Sequence, residues 1–461
     1  MTEGTCVERI DEGFFADQRE LIAGRSFLRL RGSVEEVTGL TVRARGFPAV
    51  VGGMCRVRRR SGGEVEAQVV GVSGSEAVLM PLEPATGIGA GDAVLSDLRG
   101  QHVGVGAGLL GRVLDGRGRA IDGGAPPVTE EHRRIFDAAP AALSRTPIEE
   151  PLATGVRAID GFLTLGTGQR MGVFAGTGVG KSVLMGMISR FTSADVIVVA
   201  LVGERGREVG DFIRKDLGEE GRRRSVLVVS TSDESPVLRV RACFTAMAVA
   251  EHFRDRGKHV LLLMDSVTRM AMAQRQIGLA AGEPPTTKGY PPSVFSLMPQ
   301  LMERCGRTSR GSITGLFTVL VEGDDLTEPI ADAARGILDG HIWLSRDLAN
   351  RGHFPAVSVL ESISRVMSDV AGPTHVKAAR GLRGVLATWA SIEDLVNIGA
   401  YSAGSNAAYD AAIRMKPELD AFLRQDRSER ASLEETRAAL YELAALAGTG
   451  AGAGSVGVGA R

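Results

Sequence analysis

The stretch VFAGTGVGKSVLMGM, from Val173 to Met187, limits the possible fold more than any other part of the sequence. An apolar run leads into a glycine-rich loop, and the loop leads into an apolar helical segment. Residues Ala175–Ser182 fit the pattern of Ala or Gly, any four residues, and then Gly-Lys-Ser or Gly-Lys-Thr. The strict pattern begins with Gly, where this chain has Ala175. A buried strand before the loop and a helix after it predict a phosphate-binding site in an α/β domain.

Each residue type in this loop has a physical role. Glycines lack a Cβ, so backbone N–H groups can converge on phosphate oxygens. The Lys181 ammonium supplies positive charge to the outer phosphates, and the Ser182 hydroxyl is placed to bind Mg²⁺. We therefore expect ATP and Mg²⁺ as ligands. The predicted nucleotide-binding residues of the loop are Gly176, Thr177, Gly178, Val179, Gly180, Lys181, Ser182 and Val183.

Two carboxylates follow other apolar runs. Asp265 ends HVLLLMD, and an acid at the end of a buried strand can hold the Mg²⁺ shell through water. Glu204 lies in LVGERGREVGDF, just past a second run, where it could polarise an attacking water. A loop salt bridge from Glu204 to Arg205 or Arg207 explains the same residues. Spacing alone leaves both interpretations of Glu204 open.

The pattern of the chain changes twice along its length. Short alternating segments broken by Gly, up to about Leu95, predict strands that close into a small barrel. Continuous β-branched runs alternate with helical segments in the middle, which is typical of a largely parallel sheet. Helical patterns follow Pro373, and Ser391 and Ser432 resemble N-caps because each precedes an acid by three residues. The predicted boundaries are 1–20 for an N-terminal extension, 21–98 for the β-barrel, 99–368 for the P-loop domain, 369–447 for the helical domain and 448–461 for a disordered Gly/Ala-rich tail.

Composition excludes several classes of protein. The chain has 461 residues, which favours two or three domains. Its formal net charge of −1 gives no global attraction to nucleic acid or acidic membranes. Four scattered cysteines without a CxxC pair argue against a disulfide framework or zinc site and suit the cytoplasm. No secretory signal or apolar membrane span is apparent, so we expect any membrane association to be peripheral.

Several motifs together resemble one known family. The segments GVRAIDGFLTLGTGQRMGVFAGTGVGKS, VGERGREV, GEPPTTKGYPPSVF, VEGDDLTEPIAD and FPAVSVLESISRVM look like those of the type III protein-export ATPases. This family is related to the catalytic subunit of rotary ATP synthases. The resemblance is dense from about Thr146 to Met367 and looser on either side. It implies a RecA-like core between an N-terminal β-barrel and a C-terminal helical domain, assembled into a homohexameric ATP hydrolase.

The resemblance also implies roles for individual residues. Glu204 matches the glutamate that activates the hydrolytic water, which favours the catalytic interpretation of this residue. Arg205 matches a position near the nucleotide phosphates, and Arg269 matches a further active-site arginine. Phe354 falls where an aromatic ring stacks on adenine. Arg365 matches the arginine finger that one subunit offers to its neighbour's nucleotide, a role worth roughly 10³ to 10⁵ in turnover.

The family further implies partners and a location. These are export substrates and their chaperones, a regulator, a central-stalk subunit and the membrane export gate, reached from the cytoplasm by peripheral association with the inner membrane. The loop FAGTGVGKS favours the flagellar system over the injectisome. A rotary ATP synthase subunit would carry an acidic lever segment, but FLRQDRSERASLEETR is mixed in charge. An RNA-translocating hexamer would require a basic, aromatic surface on which bases can stack. Only 5% of the residues are aromatic, so we expect that nucleic acid is not a partner.

Overall fold

The computed structural model describes residues 31–97, 101–321, 325 and 327–448. The chain divides into two compact units, the first ending at Gln101 and the second beginning at His102. The predicted N-terminal extension and almost all of the predicted tail lie outside the described residues. None of these observations tests the predicted domain boundaries, which stay predictions.

The first unit contains a closed six-stranded antiparallel barrel with the strand order β1-β2-β5-β4-β3-β6. Alternation sets its core, because Val65, Ala67 and Val69 face inward as the period of two predicts. Gln68 is also buried, and its amide donates a hydrogen bond to the Gly52 carbonyl at 3.2 Å. The strands are β1 Arg31–Thr38, β2 Thr41–Arg45, β3 Met54–Arg58, β4 Glu64–Ser73, β5 Glu76–Pro81 and β6 Ala93–Asp97.

The second unit is built on a nine-stranded sheet with the order β19-β18-β12-β17-β15-β13-β14-β8, to which β16 adds beside β17. The pairs β16–β17 and β18–β19 are antiparallel, and the other pairs are parallel. Two small two-stranded sheets pair β7 with β9 and β10 with β11. The strands are β7 His102–Val105, β8 Val113–Asp115, β9 Glu131–Arg134, β10 Pro151–Leu152, β11 Leu165–Gly166, β12 Arg170–Ala175, β13 Val196–Val202, β14 Ser225–Ser230, β15 His259–Asp265, β16 Gly306–Arg307, β17 Ser312–Leu320, β18 Gly340–Leu344 and β19 Val357–Ser364.

Thirteen α-helices lie in the described part of the chain, and none of them is long and apolar enough to cross a membrane. A π-helical turn, Phe212–Leu217, follows α3. The helices are α1 Arg157–Phe162, α2 Lys181–Phe191, α3 Gly206–Asp211, α4 Gly218–Arg223, α5 Pro236–Asp255, α6 Val267–Ala280, α7 Pro292–Met302, α8 Pro329–Ile337, α9 Arg346–Asn350, α10 Met367–Val370, α11 Pro373–Asn397, α12 Ala407–Leu423 and α13 Leu433–Leu446.

The predicted fold class is confirmed: an α/β core with a β-barrel before it and helices after it. The long apolar runs form β13, β14, β15 and β17, buried on both faces as parallel central strands require. The interpretation of Ser391 as an N-cap is wrong. The apolar face of α11 continues through this position, and the Ser391 hydroxyl donates to the Thr388 carbonyl at 2.7 Å. Ser432 does cap α13, in a capping box with Glu435.

A buried ion pair joins α5 to the segment after α7. Arg304 is completely buried, and its guanidinium donates to both carboxylate oxygens of Glu251, at 2.9 and 2.6 Å. A further donor of Arg304 reaches the Ile135 carbonyl at 2.6 Å. These bonds satisfy most of the N–H donors of the Arg304 guanidinium, which has no access to water. Removal of Glu251 would therefore leave the Arg304 charge buried without its carboxylate partner.

We expect Glu251→Gln to destabilise the second unit by about 3 to 5 kcal/mol, because the Arg304 guanidinium would keep its charge without a counter-ion. The free energy of unfolding from urea titration measures the effect.

The matched control is Glu219→Gln. Glu219 pairs with Arg223 at 3.5 Å on the surface, with side chains 69% and 78% exposed. Exposed pairs contribute at most about 1 kcal/mol, so this variant should unfold close to the parent. Equal losses in the two variants would contradict the account of the buried pair.

Candidate active site

The phosphate-binding loop, residues 176–182, connects β12 to α2 as the sequence predicts. Gly178 and Gly180 adopt positive φ angles of 80° and 92°, which L side chains rarely tolerate. Val179, between them, is buried in the core of the second unit and anchors the loop. Thr177 and Gly178 are exposed. The loop therefore keeps its backbone accessible at the N-terminus of α2, where phosphate oxygens bind.

Three strand ends bring the charged groups of the site together. Lys181 begins α2 after β12, Glu204 follows β13, and Asp265 ends β15. The Lys181 ammonium pairs with an Asp265 carboxylate oxygen and lies 3.7 Å from Glu204 Oε1. All three side chains are largely buried, with exposed fractions of 9 to 14%. The structure thus places three sequence-predicted residues around one point at the mouth of the loop.

Burial alters the acidity of Glu204. Loss of water, a hydrogen bond to Glu208 and the nearby Asp265 charge raise the pKa of Glu204 to about 7, against the opposing effect of Lys181 and Arg269. A general base acts best when its pKa lies near the working pH. The alternative interpretation of Glu204, a loop salt bridge to Arg205 or Arg207, does not occur, because both of those arginines pair elsewhere.

The oxygen donors at this point fit Mg²⁺. The Ser182 side chain is exposed at the start of α2, and the Thr318 hydroxyl orients the Asp265 carboxylate by donating to it at 2.7 Å. The described residues contain no group of three or more His, Cys, Asp or Glu that could hold a metal by themselves. A hydroxyl and a carboxylate suit Mg²⁺, which takes few protein ligands and keeps water and phosphate oxygens.

Arg269 lies beside the same point. A Cβ on Gly203 would come within 2.9 Å of the Arg269 Cβ, so the arginine side chain packs against the backbone that leads into Glu204. The guanidinium is close enough to Glu204 to lower the pKa of that carboxyl. The structure therefore brings Arg269 close to Glu204, and the active-site role that the resemblance implies for Arg269 stays a prediction.

Phe354 borders the phosphate-binding loop from the other side. A Cβ on Gly180 would lie 3.5 Å from a carbon of the Phe354 ring, and 46% of Phe354 is exposed. A partly exposed aromatic face beside the loop provides a surface for a planar base. Arg346 adds a contact to the loop, since its guanidinium donates to the Thr177 carbonyl at 3.4 Å.

Two predicted residues do not join this group within the chain. The Arg205 side chain is 82% exposed and lies 3.7 Å from Glu208. Arg365 is exposed at the opposite edge of the sheet, because Ser364 pairs with Gly340 at the start of β18. The phosphate-binding loop follows Ala175, which is level with the last residue of β18. The two positions are thus roughly 13 Å apart along the strand direction.

Sequence reasoning missed two contributors to the site. Thr318 is a polar residue late in the apolar run GLFTVLVEG, and a hydroxyl there is the only signal that the sequence offered. Glu208 lies in α3, four residues after Glu204 in the preceding loop, and their hydrogen bond lowers the pKa of Glu208. An i, i+4 pair of acids usually indicates a solvated helix face, so no pattern pointed to this contact.

Comparison with known proteins identifies the family. Residues 155–364 match the model of the ATP synthase alpha/beta family nucleotide-binding domain, and residues 371–442 match the T3SS EscN ATPase C-terminal domain. The flagellum-specific ATP synthase of Bacillus subtilis is 52% identical over 89% of this chain and 94% of its own length. The chain belongs to the type III protein-export ATPases. It is an ATP-hydrolysing enzyme with a nucleotide substrate.

Two further relatives cover most of this type III export ATPase. The type 3 secretion system ATPase of Sinorhizobium fredii is 47% identical over 88% of this chain and 90% of its own length. The assembled ATPase EscN, solved with its central stalk EscO from enteropathogenic E. coli, is 42% identical. The structural match covers 89% of this chain and 99% of the solved chain, with a TM-score of 0.82. The family and fold expected from the sequence motifs are thereby confirmed.

Gly203→Ala should lower ATP turnover roughly 10- to 100-fold, the scale of a misplaced catalytic group. Gly203 has a φ of 72°, which is strained for alanine, and the added methyl group would displace Arg269 and the approach to Glu204. Steady-state ATP hydrolysis measures this effect.

Gly206→Ala is the matched control in the same loop. A Cβ there meets nothing within 4 Å, and the residue begins α3. This variant should keep turnover near that of the parent. If Gly203→Ala hydrolysed ATP as fast as Gly206→Ala, the contact with Arg269 would not matter for the reaction.

Proposed function

We propose that this type III export ATPase is the Mg²⁺-dependent motor of a flagellar protein-export apparatus and works as a homohexameric ring. The observation that carries the catalytic part is the convergence of Lys181, Glu204 and Asp265 at the phosphate-binding loop. The 52% identity to a flagellum-specific relative, against 47% to a secretion-system relative, supports the flagellar assignment. An injectisome ATPase is the alternative.

The geometry supports a division of roles in hydrolysis. Lys181 and the backbone of the loop hold the outer phosphates, and Ser182 and Asp265 hold Mg²⁺, which supplies charge neutralisation when bound. Glu204 accepts the proton of the attacking water, and its raised pKa suits that task. Arg269 stabilises charge on the phosphates, and Phe354 stacks on the base. Arg205 reaches the phosphates only after its exposed side chain turns from Glu208.

Arg365 supports the ring. Its place at the far edge of the sheet puts it out of reach of its own phosphate-binding loop. An arginine finger at this position would therefore act on the nucleotide of a neighbouring copy. Head-to-tail contacts of this kind close into a ring. The solved relative is described as assembled and in complex with a central stalk, which supports a ring with a stalk subunit here.

The remaining assignments rest on the family. We place the ring in the cytoplasm, attached peripherally to the inner membrane export apparatus, where a regulator and the export gate are its partners. Substrates reach it with their chaperones, and nucleic acid is not a partner. We propose the domain boundaries 21–98, 99–368 and 369–447, which place every described helix and strand within a single domain except the short helix α10, Met367–Val370, which spans the second boundary.

Glu204→Gln should abolish hydrolysis, with a loss of at least 10²-fold expected for a general base, and should leave ATP binding intact. The amide keeps the shape of the side chain but does not accept the proton. Single-turnover hydrolysis and a fluorescent-nucleotide binding assay measure the two effects. Retained turnover would exclude Glu204 as the base.

The same variant tests the biological assignment when it replaces the parent gene in its own cell. Export of flagellin to the medium should fall. If flagellin export is unchanged and secretion of injected effectors falls instead, the injectisome assignment is correct.

Arg365→Ala should lower turnover by roughly 10³-fold or more, and mixing should restore part of it. In rings mixed with Glu204→Gln subunits, an Arg365→Ala subunit keeps its own Glu204 and receives Arg365 from its neighbour. ATP hydrolysis across mixing ratios measures the rescue.

The control is the double variant Glu204→Gln/Arg365→Ala, which supplies no finger and should rescue nothing. Equal activity in both mixtures would show that Arg365 does not act between subunits.

A further inference from the structure

The loop between α12 and α13 reaches back to the nucleotide side of the core through one buried amide. Only 5% of Gln425 is exposed. Its side-chain oxygen accepts a hydrogen bond from the Arg157 backbone N–H at 2.8 Å. Its side-chain nitrogen donates to the Gly155 and Glu429 carbonyls, each at 2.8 Å. Its backbone N–H donates to the Phe354 carbonyl at 3.0 Å. We call this set of contacts the Gln425 junction.

The junction uses both amide donors and the amide acceptor of one buried side chain. Truncation of Gln425 would leave the Arg157 N–H without this acceptor and the Gly155 carbonyl with only the longer bond from the Ala431 N–H, at 3.4 Å. Unsatisfied buried groups of this kind are costly, so the loop would shift to find new partners. The contact between the two backbones, Gln425 and Phe354, would shift with it.

Phe354 is joined to the Gln425 junction through its backbone carbonyl. Its ring lies against Gly180 but is nearly half exposed, so packing restrains the ring only on one side. The neighbouring His353 ring is buried, 3.9 Å from the Asp420 carboxylate on α12. Arg351 pairs with Glu393 on α11. The segment that carries the ring is therefore held from the helical side by these contacts and from the sheet side by the bond from the Ser345 N–H to the Ala356 carbonyl, at 2.8 Å.

We infer that Gln425 is a positioning residue for the nucleotide base. It fixes the main chain at Phe354. The ring then lies at stacking distance from the base of a nucleotide whose phosphates are bound by the loop. This inference rests on the proposal that Phe354 stacks on adenine. Gln425 does not touch the nucleotide itself and acts only through the Phe354 backbone.

Inorganic tripolyphosphate provides the discriminating probe, because it has the phosphates of ATP without the base. In the full-length enzyme, Gln425→Ala should raise the KM for ATP roughly tenfold and change kcat less. The inhibition constant of tripolyphosphate should stay at the parent value. A general loss of structure would weaken both ligands, so the ratio of the two constants separates positioning from folding.

Three further variants complete the test. Gln425→Asn keeps both amide functions on a shorter arm and should move the same ratio in the same direction by a smaller factor. Gln68→Ala removes a buried amide from the barrel and should leave the ratio unchanged. The double variant Phe354→Ala/Gln425→Ala should bind ATP no more weakly than Phe354→Ala alone, since both changes act through one ring.

The outcomes distinguish the inference that Gln425 positions Phe354 from the proposal that Phe354 stacks on the base. If Phe354→Ala leaves the ratio of the ATP and tripolyphosphate constants at the parent value, the stacking proposal is wrong. If Phe354→Ala changes that ratio and both Gln425 variants leave it unchanged, stacking holds and the positioning inference is overturned. Additive losses in the double variant would also overturn it.

Discussion

The parallel pairing of β13 with β15 is the constraint on which the site depends. Leu201 stands opposite Asp265 in that register, so Glu204 emerges three residues further along the neighbouring strand. A shift by one residue would turn every side chain of the strand to the other face of the sheet. Both strands are fully embedded in the core, so their burial fixes the register and, with it, the position of two carboxylates relative to Lys181.

The cost of placing these charges so close together shapes their chemistry. Two carboxylates and one ammonium share a space with little water, and burial disfavours the ionised form of Glu204. Asp265 keeps a fixed orientation through Thr318, whereas Glu204 shares its hydrogen bond with a more exposed acid, Glu208. One carboxylate is thus suited to holding a cation and the other to exchanging a proton. The environment, rather than the residue type, separates the two roles.

The sequence predicted the central sheet, the phosphate-binding loop and the charged residues beside it. It predicted few of the residues that contact and orient those groups. Continuous apolar runs and the glycine-rich loop were sufficient for the sheet, the loop and the three convergent residues, because strand ends of a parallel sheet meet at one edge. The N-cap prediction at Ser391 failed because tertiary packing carried α11 through a locally favourable start. The sequence could not show which groups Gln425 and Thr318 contact, since the Gly155 partner of Gln425 and the Asp265 partner of Thr318 lie far away along the chain. The place of Arg365 follows only from the antiparallel return of β19.

That return strand has a consequence for communication around the proposed ring. β19 begins three residues after Phe354 and ends one residue before Arg365. One strand therefore lies between the residue proposed to stack on the base and the residue proposed to act on the next subunit, and its two ends pair with the two ends of β18, roughly 13 Å apart. The strand is bulged between its pairings with His341 and Trp343, so it has more residues than the length of β18 requires. Both proposed contacts therefore depend on the packing of one bulged edge strand, and a change in the bulge would alter the two together.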